Sequence, residues 1–438
     1  MPAVLQTFAT AAAGSRWRWL RLATLLCVLA LPGCALEYMS VMQQVDNDLA
    51  AQQPQAALKA LQDLSGGRDQ VLYLLNKAMV QRMAGEYADS VQSFEQAKPL
   101  MQYLEATSVT ETAAALTVTE QLRTYQAPLY ERLMVHVYQG LNYLQLGQPD
   151  SARVETLQID DLLKRLYPAT AAAPNGGDAF PRYFSGLVFE SLGEYSDAMI
   201  AYRQALQAYK AQGMPDGGVP QDLKLSLCRF ADFLGLKDEL DGYKKRFGIE
   251  SWPPVGRNDT QGQIIFVFSN GLGPEKLAQS ALLPDPSSGH YFSVSLPVLQ
   301  RRPPRVSAAV VSAGGDDVRT EEVENIAADA SLQLAADRPK LLAAEFARNV
   351  ARAAAANQMD KKAQGLGSLL SLIGSAADQA DVRIWGTLPD NIQLARLRLA
   401  PGTYDMTVRL GGRTQVLKGV QVQAGQMTFT SMQFATFN

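Results

Sequence analysis

The sequence predicts an α+β multidomain chain: an N-terminal solenoid of helical hairpins, then a β-rich C-terminal domain that carries one amphipathic helix. Two observations carry this. The segment Gly85-Glu86-Tyr87-Ala88-Asp89-Ser90, followed by Phe94 and Ala97, recurs at identical internal spacing as Gly193-Glu194-Tyr195-Ser196-Asp197-Ala198, followed by Tyr202 and Ala205. Beyond residue 262 the apolar spacing changes from helical to alternating, with β-branched runs between glycine and proline turns. The 438 residues are 47% hydrophobic, enough for two or three cored domains. A net charge of −3 offers no general electrostatic pull toward nucleic acid. Only His136 and His290 are present, 154 positions apart, so a histidine-based metal centre is not expected, nor is a cofactor.

Residues 1–33 read as a targeting segment. Arg16, Arg18 and Arg21 precede the apolar stretch Leu22–Leu31, which is too short to span a bilayer and fits a signal peptide. Leu31-Pro32-Gly33-Cys34 then resembles the lipobox of bacterial lipoproteins. That resemblance implies cleavage between Gly33 and Cys34 and lipid (palmitate among the chains) on Cys34. Ala35 stands where lipoproteins kept in the inner membrane carry Asp, so the resemblance implies the periplasmic face of the outer membrane. Cys27 leaves with the signal, which keeps Cys34 and Cys228 in the mature chain. Cys228 lies at helical spacing among apolar residues and is expected to be a buried small hydrophobe. Residues 34–37 form a short tether, expected extended.

In residues 38–247 each Gly-Glu-Tyr unit reads as a hairpin. A glycine ends one helix, Tyr87 or Tyr195 wedges the turn, and a small residue (Ser90, Ala198) admits the second helix. Phe94 or Tyr202 packs one turn later. This resembles the tetratricopeptide repeat, Gly186 in the preceding helix included. Gly140, Tyr143, Gly147 and Ala152 fit the template with Pro149 in the tyrosine position. A partial unit lies around Gln52 and Pro54, and a terminal hairpin around Gly235. The array is irregular, with insertions expected at Leu104–Thr124 and in the loop Pro168–Pro181. Such repeats leave a concave groove, for which Tyr130, Glu131, His136, Tyr138 and Arg153 are the candidate partner-binding residues. The alternative is that the aromatics are core and the charges a solvated face.

Residues 248–262, with Trp252-Pro253-Pro254, read as a linker, and 263–438 as the β-rich domain. Strands are expected at Gln263–Ser269, His290–Leu296 and Arg305–Val311, and a helix at about 333–357. Gly365–Gly374 reads as a loop. Four further strands follow at Ile392–Leu399, Thr403–Leu410, Gln415–Val422 and Met427–Phe434. The context Leu397–Tyr404, around Pro401-Gly402, resembles envelope β-sandwich modules of the PEGA type. Asn270–Lys276 lacks the spacing of a phosphate loop and is expected to be a turn. Glu321, Glu322 and Glu324 after Asp316-Asp317 read as a solvated acidic turn. As paired carboxylates they would instead suit glycan cleavage. Arg383 and Trp385 suit stacking on a partner or packing at the domain junction.

Taken in order, the lipobox, the repeats, Gly273-Pro274-x-Lys276 and Arg383-x-Trp385-x-x-Leu388-Pro389 resemble a family of Gram-negative tetratricopeptide-like outer-membrane lipoproteins. That resemblance implies a non-catalytic protein-interaction scaffold in cell-envelope assembly, with an envelope protein as client and peptidoglycan synthesis as the machine. Assembly of a surface fibre, pilus or polysaccharide exporter is the first alternative, and a glycan-cleaving enzyme the second. The oligomeric state is not encoded in these motifs.

Overall fold

A computed structural model describes residues 33–66, 69–108, 124–167, 176–256, 259–284, 291–360 and 380–437. Residues 1–32, most of the first insertion, residues 168–175, His290 and Gly365–Gly374 lie outside them. Ten helices form five antiparallel hairpins: α1 (Gly33–Ala50) with α2 (Pro54–Leu61), α3 (Gln70–Met83) with α4 (Tyr87–Ser108), α5 (Leu129–Gln145) with α6 (Pro149–Leu166), α7 (Ala179–Ser191) with α8 (Tyr195–Ala211), and α9 (Gln221–Phe233) with α10 (Lys237–Phe247).

All five hairpin turns are built alike. Gln52, Gly85, Gly147, Gly193 and Gly235 each have positive φ. The next residue's N–H reaches back to a carbonyl five positions upstream: Gln53 to Asp48, Glu86 to Gln81, Gln148 to Tyr143, Glu194 to Phe189, and Leu236 to Ala231, all at 2.8–2.9 Å. This is a Schellman C-cap, which satisfies carbonyls the ended helix leaves orphaned. Pro149 occupies the helix start held by Tyr87 and Tyr195 elsewhere, where its missing N–H costs no hydrogen bond. Small residues then set the close approach. Ser90, Ala152 and Ala198 are fully buried, and the Ser90 hydroxyl donates to the Ala78 carbonyl. Gly186 lies against the Tyr202 ring, and a Cβ there would come within 2.4 Å of it.

The second half is a β-sandwich. One sheet has the order β10 (Met427–Phe434), β1 (Gly262–Asn270), β7 (Asn391–Leu399), β6 (Glu321–Glu324). The other has β5 (Asp316–Arg319), β4 (Val310–Ala313), β8 (Gly402–Leu410), β9 (Arg413–Val422). β1 runs parallel to β10 and antiparallel to β7. A separate hairpin pairs β2 (Glu275–Pro284) with β3 (Tyr291–Gln300), and α11 (Ile326–Asp360) packs on β3. The four C-terminal runs do not form a self-contained module. β7 and β10 flank β1 in one sheet, while β8 and β9 lie in the other.

Every residue of β1 is buried, and its alternation explains why. Ile264, Phe266 and Phe268 face the second sheet, among Ala309, Val311, Met406, Val408 and Leu410. Ile265 and Val267 face the helices, joined by Ile392, Leu394 and Phe429. The molecule is thus three layers deep: helical hairpins, first sheet, second sheet.

Several expectations change. Residues 34–37 belong to the first turn of α1 and are not an extended tether. Pro181 lies inside the first turn of α7, where proline is tolerated, and not in a loop. Residues 248–256 and 259–261 are not a free linker: Ile249 and Val255 are buried, and Asp259 binds Arg398 at 2.6 Å. Strand β4 starts at Val310, five residues later than expected. Helix α11 starts at Ile326, because Asn325 caps it by accepting the Ala328 N–H at 2.9 Å.

The Gly186→Ala variant is expected to destabilise the chain by about 1–3 kcal/mol, since the new methyl overpacks Tyr202. Gln52→Gly is expected to stabilise it by about 1 kcal/mol, by relieving the one non-glycine turn residue at positive φ. Urea unfolding midpoints check both, and an unchanged midpoint for Gly186→Ala would count against the close approach.

Candidate functional site

The groove expected to receive a partner is lined by the first helix of each hairpin, and the chain fills it with its own residues. Residues 380–390 cross the N-terminal half as an irregular strap with a turn at 385–388, where the Leu388 N–H donates to Trp385 O at 3.3 Å. Tyr38 donates its hydroxyl to the Ile384 carbonyl at 2.9 Å. The Trp385 N–H donates to Glu131 Oε1 at 3.2 Å, and its ring meets Phe94 edge-on with centroids 5.9 Å apart. Asn76 Oδ1 accepts from both the Thr387 N–H, at 3.2 Å, and its hydroxyl, at 2.9 Å. The Asn76 amide is itself oriented by donation to Leu72 O. Arg383 pairs with Asp69 at 2.6 Å and Asp381 at 2.7 Å. Side chains of the helices therefore grip the backbone of this strap on both sides of its turn.

The first sheet fills the rest of the groove. Arg82 donates to Asn142 on α5 and to Ser431 on β10, both at 2.5 Å. The Tyr138 and Ser269 hydroxyls are 3.0 Å apart. Toward the C-terminal hairpins, Glu190 lies 2.6 Å from Arg229 and 2.9 Å from Arg396 of β7, whose Nε sits 2.7 Å from Asp222. Burial alone would raise the Glu190 pKa, but the two guanidiniums overcome it and hold it at about 2. The same arginines leave no charge of this cluster without an opposite partner, which a buried charge requires.

Of the residues expected to meet a partner, Tyr130, Glu131, Arg383 and Trp385 are buried inside the chain. Glu131 accepts from the Tyr125 hydroxyl at 2.5 Å and the Tyr130 hydroxyl at 3.1 Å. Its pKa rises to about 7, because burial outweighs these hydrogen bonds. Arg153 remains at the surface, its Nε 2.8 Å from both oxygens of Glu194 in the next hairpin. His136 is a satisfied helix histidine, with Nδ1 2.7 Å from Glu155, which also binds Lys98 at 2.9 Å. Cys228 is buried, and burial pushes its thiol to about 11.

The acidic stretch is solvated at Asp316, Asp317 and Glu322 as expected, but it is not a turn throughout and Glu324 is buried. It forms β5 and β6, and Glu324 is closed off beneath the helices, accepting the Phe180 N–H at 3.3 Å. Glu324 and Asp329 of α11 share a hydrogen bond, and burial raises both, Glu324 to about 7. At 5% exposure each, the pair is shut away from any glycan. Among the described residues no group of three His, Cys, Asp or Glu side chains is placed to hold a metal ion. The loop at Gly273 serves the strap: its N–H donates to Leu388 O at 2.5 Å, and Lys276 Nζ reaches Arg383 O at 3.4 Å. Asn76, Glu190 and Arg396, central to the filled groove, carry no sequence motif that marks them.

No family model and no curated protein matches the chain. Among solved structures, a MamA protein is 16% identical, with 48% of this chain matched to 90% of that one at a TM-score of 0.31. A Rap protein complexed with Competence and Sporulation Factor is 16% identical over 48% of this chain and 51% of its own, at 0.30. A tetratricopeptide repeat protein from Parabacteroides merdae is 15% identical over 50% and 81%, at 0.21. The repeat architecture here stands on the five capped turns and their packing.

Glu131 titrates near 7 in the fold and near 4.5 when unfolded, so the folded state keeps a proton that the unfolded chain has released. Stability therefore falls as pH rises from about 4.5 to 7, by on the order of 3 kcal/mol for this group. Glu324 acts in the same direction, while Glu190 loses stability only below about 4.5. The wild-type melting temperature is expected to drop between about pH 5 and pH 8 and Glu131→Gln to flatten that slope; a parallel slope in the variant would rule Glu131 out as its source.

Proposed function

We propose that the chain is a non-catalytic lipoprotein, anchored through Cys34 to the periplasmic face of the outer membrane, that serves as a scaffold in cell-envelope assembly. The machine we propose is peptidoglycan synthesis, with an envelope protein as client. One observation carries the reading beyond a repeat protein with an open groove. The groove is closed by residues 380–390 and the first sheet, so helical repeats and sandwich form one body, and among the helical hairpins it is the outer row that stays exposed. That row carries exposed apolar residues of the sort a partner covers: Val154 and Leu157 on α6 and Ile200 on α8. Arg153 and Glu194 bridge these two helices between them. The lipobox resemblance supports the anchor. Because residues 34–37 are the start of α1, lipid on Cys34 would hold the body about 6 Å from the acyl attachment, at the helical rise of 1.5 Å per residue.

In cells, Cys34→Ala is expected to move the protein from outer-membrane to soluble fractions; full retention would remove the lipoprotein reading. A photo-crosslinking residue at Leu157 or Ile200 is expected to capture the client, whereas one at Tyr130 is expected to give only intramolecular products. Client capture at Tyr130 with none at Leu157 or Ile200 would return the function to the groove.

A further inference from the structure

The outer helices stand side by side in one row, and contacts between neighbours fix their order. Gln55 of α2 donates to Glu86 ahead of α4 at 2.7 Å, Lys98 of α4 meets Glu155 of α6 at 2.9 Å, and Arg203 of α8 meets Glu239 of α10 at 2.7 Å. The Arg153–Glu194 pair links α6 to α8. Each of these helices starts at a hairpin turn, so their first turns line one edge of the row.

Val154, Leu157 and Ile200 lie just behind that edge, 51%, 43% and 48% exposed. Val154 and Ile200 hold the same place in their repeats, seven residues past Gly147 and Gly193. Helices packed side by side are about 8–10 Å apart, so α6 and α8 present two apolar steps at that spacing. One turn nearer the edge, on the same helix faces, stand Asp150, four residues before Val154, and Asp197, three before Ile200. Both are exposed, and neither forms an ion pair among the described residues. Arg153 lies between them, its guanidinium held charged first by its bond to Glu194 and further by Asp197 and Asp150. Three carboxylates thus face this guanidinium beside the apolar steps. Asp89 and Asp238 continue the acidic row in the first turns of α4 and α10. An acid in a first turn complements the helix dipole, which accounts for these aspartates singly. It does not account for large apolar side chains left in water one turn behind them.

Resting on the outer-row reading above, we propose that Val154, Leu157 and Ile200, with Asp150 and Asp197, receive a cationic amphipathic helix of the client. Seven residues of helix span about 10.5 Å, so apolar residues at i and i+7 reach both steps from a helix laid across α6 and α8. Lysine or arginine on its flank toward the turn edge then meets Asp150 and Asp197. The same carboxylates repel an anionic lipid surface, which favours a protein segment as the occupant.

The test uses the purified full-length chain in mild detergent and two synthetic peptides of about 20 residues, long enough to hold a helix. They share one leucine face, flanked by lysine in one and by glutamate in the other. By fluorescence anisotropy the lysine peptide is expected to bind about tenfold tighter or more, with the preference shrinking between about 50 and 300 mM salt. Asp150→Asn with Asp197→Asn is expected to weaken it about fivefold, whereas Asp63→Asn with Asp316→Asn, an equal change of charge elsewhere, leaves it alone. Asp150→Lys with Asp197→Lys is expected to reverse the preference toward the glutamate peptide, a gain that misfolding cannot produce. Equal affinity for the two peptides, no binding of the lysine peptide, or no reversal in the lysine variant each overturns the proposal. So does wild-type binding to phosphatidylglycerol vesicles that Ile200→Ser removes, which would assign the face to lipid. Photo-crosslinking from Ile200 in cells separates the two readings. Client capture indifferent to the Asn pair removes the cationic partner and keeps the outer row, while no capture from Ile200 or Leu157 removes the outer-row reading itself.

Discussion

Strand β1 has no solvent face, and most of the architecture follows from that. One set of its side chains completes the sandwich core and the other completes the inner surface of the helical hairpins. Neither neighbour can bury its apolar residues without the strand between them, since Ile265 and Val267 lie within the same continuous core as Leu133, Leu187 and Leu227. A strand buried on both faces must read as a continuous apolar run, which is what Ile264-Ile265-Phe266-Val267-Phe268 is. The polar groups trapped at the junction then set its register. Arg82 on Ser431, Tyr138 on Ser269 and Glu190 on Arg396 are each satisfied in one alignment of sheet and helices, and a slip would leave buried charge unpaired.

This placement changes what the helical repeats do. An open solenoid offers its concave face to other molecules, and here that face is spent on the chain's own strap and sheet. The strap shows how such a groove holds a peptide: carbonyl and N–H groups of residues 384, 385 and 387 are met by Tyr38, Glu131 and Asn76 while Trp385 fills the apolar pocket beside Phe94. A competing peptide would have to displace all of these and expose Trp385, whose burial is worth several kcal/mol.

The sequence was legible where local chemistry decides structure. Gly85, Gly147, Gly193 and Gly235 marked their turns because only a residue tolerant of positive φ completes the cap, and Gln52 was found by its following Gln53-Pro54. The strand from Gln263 was legible through its continuous apolar run, and those from Ile392 onward through alternation and glycine turns. What covers a face was not legible. Tyr130, Glu131 and Trp385 carry the same pattern whether a client or residues 380–390 lies against them, because periodicity reports that a face is apolar and never by what it is covered. The acidic run at Glu321 misled for a related reason: its composition suggests solvent, while Glu324 alternates inward and keeps company with Asp329 from a helix only five residues on. The expected helix at about 333–357 omits the first two turns of α11, which starts at Ile326 after the Asn325 cap.

Arg302 shows how the separate parts are tied at the anchor end. Its side chain is buried and reaches four elements: Asp46 of α1, the Gly273 carbonyl before β2, the Gly386 carbonyl of the strap, and Glu275 at the base of the hairpin, 3.5 Å away. Burial raises the Asp46 pKa and the guanidinium opposes that rise, leaving it at about 6. A buried guanidinium cannot be abandoned by any one of these partners without a large desolvation cost. The helix that starts at Gly33 is thus locked to the strap and to the root of β2, so that whatever fixes the beginning of α1 also fixes the strap and the hairpin. A lipid on Cys34 would then do more than tether the chain: it would hold the strap and the hairpin in one orientation relative to the membrane plane.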